Sequence, residues 1–255
     1  MLSRLTFGVA VIATVLVCLF VFRRPKEKQF SIECNIPKIH VIDSGKPGPC
    51  IGIVSSIHGN EPAGAYTLSK MLASNEFKPK QGKLVIIPQA NPCGLQLGVR
   101  ENPYSKQDTN RQFSRTGGHD IASKYIIHHL QQCDLILDFH EGWGFHLKTK
   151  ASWNPFQQIS DGSTLTPGDH TLWKTLAPKI VNRLNVSIRD PLKKFSVLWN
   201  NSCNIKSSLN CYAHLNGRLY LLIETTGQNN IQPLSVRENQ IRTILLVVFQ
   251  EFGLI

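Results

Sequence analysis

The sequence predicts an α/β protein in which helices layer onto a mixed, mostly parallel sheet. Three observations carry this. Short apolar runs rich in Ile, Val and Leu recur along the chain. Stretches with helical spacing of apolar residues separate them. Several runs end in His, Glu, Asp or Arg, as buried strands do when they deliver side chains at their carboxyl ends.

The strands are expected at 39–42 (IHVI), 50–57 (CIGIVSSI), 84–88 (LVIIP), 134–139 (DLILDF) and 219–224 (LYLLIE). Each is short and β-branched enough to be a strand buried on both faces. Helices are expected at 62–74, 119–132, 171–184 and 234–252. The first opens with Pro62, which suits a first-turn position. The second sets Ile121, Tyr125, His128 and His129 at helical spacing. The last carries Leu234, Ile241, Ile244, Leu245 and Val248 as a stripe. Residues 148–170 and 189–215 lack periodicity and read as loops around a site. No internal repeat is present.

Composition bounds the function. The chain has 255 residues, 42% of them hydrophobic, with 18 Gly, 14 Pro and 7 Cys. That excludes a disordered, collagen-like or coiled-coil chain and a disulfide-dense miniprotein. The net charge is +11. Without residues 1–28, which hold five basic and one acidic residue, 23 basic and 16 acidic residues remain, a net +7. A basic surface of this kind suits anionic substrates. No basic-aromatic run is present, so nucleic acid is not an expected partner. The cysteines form no CxxC pair and read mostly as buried thiols. Cys203 and Cys211 would pair only in an oxidising compartment.

Residues 5–22 carry no charge and approach the ~20 residues that span a bilayer. The run ends in Phe-Val-Phe-Arg-Arg rather than at a small-residue cleavage site. Residues 1–28 therefore read as an uncleaved membrane anchor with a basic flank, and 29–255 as the catalytic domain. Four basic residues follow the span and one precedes it, so the positive-inside rule places that domain in the cytoplasm. Two glycosylation sequons, at Asn185 and Asn200, point weakly the other way.

Ligands of open α/β sheets collect at the carboxyl ends of strands. Four such ends deliver chemistry: His58-Gly59-Asn60-Glu61, Arg100 followed by Asp108-Thr109-Asn110-Arg111, Asp138-Phe139-His140-Glu141, and Glu224-Thr225-Thr226-Gly227. An HxxE pair at a strand-to-helix turn lets an imidazole and a carboxylate reach one point, a donor set suited to one Zn²⁺. His140, ending a buried strand, is the best third ligand. Two His and one Glu leave a position open for water. The arrangement is not the helical HExxH motif. Asp138 and His140 share one strand face, so Asp138 either supports His140 or is structural. Glu141 rivals Glu224 as a base, and Glu224 is preferred because a carboxylate inside the apolar run YLLIE needs a reason. Arg100 and Arg111 read alternatively as surface arginines, and Asp108 as a cap or turn residue.

These pieces, together with Asn91-Pro92 and the segment IETTGQ, occur in order over residues 50 to about 250. They resemble the succinylglutamate desuccinylase/aspartoacylase family of the zinc carboxypeptidase-like superfamily. The resemblance implies a zinc carboxypeptidase-like (phosphorylase/hydrolase-like) three-layer sandwich. It also implies roles: His58, Glu61 and His140 as zinc ligands, and Glu224 as the glutamate that shuttles a proton from the zinc-activated water to the leaving amine. Arg100 would stabilise the oxyanion, Asn110 and Arg111 would grip a substrate carboxylate, and Asp108 would orient the first zinc histidine. DTNR stands where the family has DLNR, Arg100 lies further from Asn110, and the family's C-terminal β domain finds no room. The expected function is a zinc-dependent amidohydrolase acting on an N-acyl amino acid. The alternatives are a metallocarboxypeptidase acting on short peptides and a membrane-tethered binding protein with a vestigial metal site.

Overall fold

The computed structural model describes residues 32–199, 203 and 205–255. A seven-stranded sheet forms the centre. In chain order its strands are β1 (His40–Asp43), β2 (Cys50–Ser55), β3 (Lys83–Ile87), β6 (Leu135–Gly142), β7 (Thr164–Pro167), β8 (Ser196–Val197) and β9 (Leu219–Thr226). Their spatial order is β1-β3-β2-β6-β9-β7-β8. The core strands β3, β2, β6 and β9 run parallel, β1 pairs antiparallel with β3, and β7 pairs antiparallel with β9. The sheet is therefore mixed and mostly parallel, as expected. A two-stranded hairpin, β4 (Phe113–Ser114) and β5 (Gly117–Gly118), stands apart from it.

Helices cover both faces, because strands this apolar must be buried twice. On one face lie α1 (Ala63–Ala73), α5 (Trp173–Asn185) and α7 (Leu234–Glu251). They bury Ile51, Ile53, Leu135, Leu137, Leu221 and Ile223 beneath Leu68, Trp173, Ile180, Ile244 and Val248. On the other lie α3 (Ile121–Leu130) and α6 (Leu209–Leu215), covering Val54, Ile87, Ile136 and Tyr220. Alternate residues of each strand serve the two cores. Two short helices, α2 (Pro92–Leu97) and α4 (His146–Ala151), sit at the carboxyl end of the sheet.

From β2 the chain steps outward to β3, then returns past β2 to β6 on its other side. This reversal opens a crevice between the carboxyl ends of β2 and β6, where α/β proteins bind ligands.

Several expectations need correction. The segment 148–170 contains the end of α4 and strand β7, and 189–215 contains β8 and α6. The helix over 121–130 turns Ala122, Ser123, Ile126, Ile127 and Leu130 inward, whereas Ile121, Tyr125 and His128 are exposed. Cys34 and Cys93 form a disulfide, as do Cys203 and Cys211, so the reading of mostly free thiols fails.

The anchor expected over residues 5–22 lies outside the described residues. Among the described residues no helix is long and apolar enough to cross a membrane. The longest, α7, has 18 residues and carries Arg237, Glu238, Arg242 and Glu251. No helix among the described residues therefore supports the membrane-anchored, cytoplasmic placement. The two disulfides also speak against the cytoplasmic part, because a reducing cytosol does not sustain such bonds. Of the two sequons, Asn200 lies outside the described residues. The Asn185 carboxamide is engaged at both ends, accepting from Phe195 N at 2.8 Å and donating to Phe195 O at 3.0 Å.

The Cys34–Cys93 bond closes a sequence separation of 59 residues and ties the 3-10 turn Ile32–Asn35 to α2. Replacing both cysteines by serine should cost about 2–4 kcal/mol of unfolding free energy. A urea midpoint equal to wild type under non-reducing conditions would contradict this.

Candidate active site

The turn after β2 sets the first two donors. Glu61 N donates to His58 O at 3.2 Å, closing a tight turn that sends both side chains the same way. Ser56 Oγ donates to Glu61 O at 2.8 Å and fixes the turn from beneath. Gly59 is required by crowding: a Cβ there would lie 2.0 Å from the carbonyl carbon of Gly94. Pro62 then starts α1, where its missing N–H costs nothing.

The third donor, His140, lies on β6 next to β2, and all three residues are buried. Nδ1 of His58 is 2.9 Å from Glu61 Oε1, and Nδ1 of His140 is 2.8 Å from Glu61 Oε2. The two Nδ1 atoms are 3.1 Å apart. The opposite ring nitrogens face carboxylates: His58 Nε2 is 3.2 Å from Asp108 Oδ1, and His140 Nε2 is 3.2 Å from Asp138 Oδ1. Asp138 is itself held by Tyr220, whose hydroxyl donates to Oδ2 at 2.7 Å.

This pattern dictates the tautomers. Each carboxylate favours a proton on the Nε2 it faces, which leaves both Nδ1 lone pairs aimed at one point beside an ionised Glu61. Three lone pairs facing one another repel unless a cation sits among them. Ligands on a tetrahedral Zn²⁺ with bonds of about 2.1 Å stand about 3.4 Å apart, close to the separations here. The donor set fits a divalent cation. The electrostatics agree. Burial raises the Glu61 carboxyl, but His58 and His140 outweigh it and hold the carboxyl well below its ordinary value. Burial would depress the His140 imidazole, yet Asp138 and Glu61 pull it well above its ordinary value. The pocket is built to hold positive charge.

Around this centre the second loop arrives in order. Asn91 caps α2 by accepting from Gly94 N at 2.9 Å, with Pro92 following it, and its amide approaches Arg100 O at 3.4 Å. Gly59 N also donates to Arg100 O, at 3.3 Å. The Asn91-Pro92 pair thus positions Arg100 against the donor turn. The Arg100 guanidinium donates to Asp108 Oδ2 at 3.0 Å and reaches within 3.6 Å of Glu61 Oε1. Asp108 is at once the turn cap, accepting from Asn110 N at 2.8 Å, and the carboxylate behind His58. The half-buried Asn110 accepts from Leu209 N at 2.9 Å through Oδ1, which leaves its amide nitrogen as the free end. Arg111 is exposed and donates to Asn110 O.

The two rival carboxylates separate cleanly. Glu224 of β9 pairs directly with His140 of β6 in parallel register, so both lie on one sheet face. Burial pushes the Glu224 carboxyl well above its ordinary value. Glu141, the next residue, points to the opposite face. There it accepts from Ala63 N at 2.5 Å and pairs with Arg237 of α7. Burial raises its carboxyl, only partly offset by Arg237.

Residues 47–160 match the model of the succinylglutamate desuccinylase/aspartoacylase catalytic domain. That is the family which the motifs between His58 and His140 resemble. An N-alpha-acetyl-L-2,4-diaminobutyric acid deacetylase of Halomonas elongata is 25% identical over 108 residues, 41% of this chain and 31% of that protein. Among solved structures, tripeptide-bound Csd4, a cell shape determinant of Helicobacter pylori, superposes with a TM-score of 0.64 at 15% identity. The match covers 86% of this chain and 56% of Csd4. A succinylglutamate desuccinylase from Silicibacter sp. TM1040 gives 0.58 at 16% identity, over 86% of this chain and 61% of that one. The chain spans about a third of the curated deacetylase and about half of Csd4. The zinc carboxypeptidase-like fold expected from the family is the fold observed.

The family segment holds His58, Glu61, Arg100, Asp108, Asn110, Arg111, Asp138 and His140. Glu224 lies beyond it, so its place beside His140 comes from sheet register alone. Two neighbours escaped the sequence reading. Gln228 donates to Glu61 Oε1 at 3.2 Å and to Glu141 O at 2.5 Å. Arg237, buried in α7, compensates Glu141. The motif IETTGQ contains Gln228, but no local pattern marks Arg237 except an arginine in the apolar stripe of a helix.

Two outcomes test this geometry. Metal analysis should find a divalent ion in the purified protein that is lost in His58→Ala and in His140→Ala. It should also be released as the pH is lowered, because protons compete with the cation for the imidazole lone pairs. Arg237→Met, which strands Glu141, should cost about 3–5 kcal/mol of stability in urea melts. A neutral result would mean that Glu141 has another partner.

Proposed function

We propose that this chain is a zinc-dependent hydrolase of carbon–nitrogen (amide) bonds that cleaves an N-acyl amino acid or a similar carboxylate-bearing substrate. The observation that carries the reading is the pairing of Glu224 with His140. It sets an acid of raised pKa on the same sheet face as three convergent cation donors. His58, Glu61 and His140 would hold one zinc ion per chain, which supplies a Lewis acid that polarises the scissile carbonyl and acidifies a water toward neutral pH.

The protein groups divide the remaining work. Glu224 takes a proton from the attacking water as its oxygen adds to the carbonyl carbon. It returns that proton to the nitrogen as the carbon–nitrogen bond breaks, so the products are a carboxylate and an amine. Arg100, fixed through Asp108, presents a permanent positive charge where the oxyanion develops. The free amide end of Asn110 and the guanidinium of Arg111 receive the substrate carboxylate, Arg111 bidentately. Asp108 and Asp138 hold the tautomers that keep both Nδ1 lone pairs available.

A second reading, a metallocarboxypeptidase acting on short peptides, draws support from the shared fold of Csd4, described as a D,L-carboxypeptidase. In both reactions the carboxylate sits on the leaving amine. The two differ only in the acyl side, a small acyl group against a peptide chain. The family match and the deacetylase relative favour the first reading.

A panel of N-acetyl, N-succinyl and N-formyl amino acids beside short peptides should show turnover of an acylated amino acid above any peptide. The reverse order would select the carboxypeptidase. Glu224→Ala should retain the metal yet lose at least about 10²-fold in kcat. Undiminished turnover would remove Glu224 from the mechanism, and an inert, metal-free wild type would leave a binding protein.

A further inference from the structure

We propose that Cys50 and Cys133 are the site of a third disulfide, which fastens β2 to β6 at the ends remote from the candidate active site. Their sulfur atoms are 3.0 Å apart, inside van der Waals contact. An approach of about 1 Å completes a bond of about 2.05 Å.

The backbone is already set for it. Cys50 is the first residue of β2, and Cys133 lies two residues before β6. Asp134 N donates to Cys50 O at 2.8 Å, and Cys50 N donates to Asp134 Oδ2 at 2.8 Å. These two bonds clamp the segments where the parallel ladder begins and hold the two cysteines side by side. Cys133 is buried and Cys50 is half-buried, which leaves one sulfur reachable from solvent. The other four cysteines among the described residues are bonded in pairs, so this bridge would pair all six. An isolated thiol pair in a protein that already sustains two disulfides meets the same oxidants.

The oxidant is a disulfide of the surrounding redox buffer, such as glutathione disulfide. The Cys50 thiolate attacks it, forming a mixed disulfide and releasing one glutathione thiolate. Cys133 then loses its proton and attacks the Cys50 sulfur, forming the Cys50–Cys133 bond and releasing the second glutathione. Two protein thiols are oxidised by two electrons and one small-molecule disulfide becomes two thiols.

The bridge would act on the crevice through rigidity. β2 leads to His58 and Glu61, and β6 carries His140. A covalent tie at their amino ends resists shear between the strands that hold the donors in register.

The test is a redox titration of the purified full chain in glutathione buffers, quenched with acid and alkylated under denaturing conditions, followed by digestion without reduction. The expected result is a peptide cross-linked through Cys50 and Cys133, with both residues alkylated only after reduction. The proposal is overturned if Cys50 and Cys133 are alkylated in excess glutathione disulfide, whatever the state of the other pairs. It is equally overturned if either residue is found bridged to a different cysteine.

Discussion

Two imidazole nitrogens and a carboxylate that point their lone pairs at one another inside a protein are an unstable arrangement unless positive charge sits between them. The carboxyl ends of β2 and β6 are organised around that constraint. Asp108 and Asp138 stand behind the imidazoles and keep the protons on the outer nitrogens. Tyr220 steadies Asp138 from the next strand, and Arg100 bridges Asp108 toward Glu61. Each of these contacts would be a liability alone: a buried carboxylate, a buried imidazole, an arginine drawn over an acid. Together they form one set in which each buried carboxylate has an imidazole, an arginine or a hydroxyl beside it.

The opposite face of β6 solves a related problem by other means. Glu141 is as buried as His140 and follows it directly, yet the alternation of the strand turns it toward α1 and α7. There Ala63 N and Arg237 compensate it within the protein. Gln228 joins the two faces, touching Glu61 with the same amide that reaches Glu141 O. The end of one strand therefore separates a charge kept for an external cation from a charge neutralised internally.

The central strands were legible because burial on both faces leaves an unbroken apolar run, and β2, β3, β6 and β9 all have one. The donors were legible for the same reason, since His58, His140 and Glu224 interrupt or end such runs. β7 and β8 were not. Thr164–Pro167 has no continuous apolar run and gains strand character from its pairing with β9 and β8, and Ser196–Val197 is too short for a period. In α3 a stripe of Ile121 and Tyr125 competed with Ala122, Ile126 and Leu130, and packing against the sheet chose the latter. The contribution of Arg237 depends on a partner 96 residues away, which no local pattern encodes.

Gly227 follows β9 with a negative φ of −149°, outside the left-handed region that favours glycine. Its constraint is spatial: a Cβ would sit 1.8 Å from Glu141 Oε2 and 2.3 Å from Arg237 Nη1. A mutational scan that ranks glycines by dihedral strain would score this position as permissive. The ion pair packed against its α-carbon makes it intolerant, and the damage from even a methyl group would spread along Gln228 to the floor of the crevice.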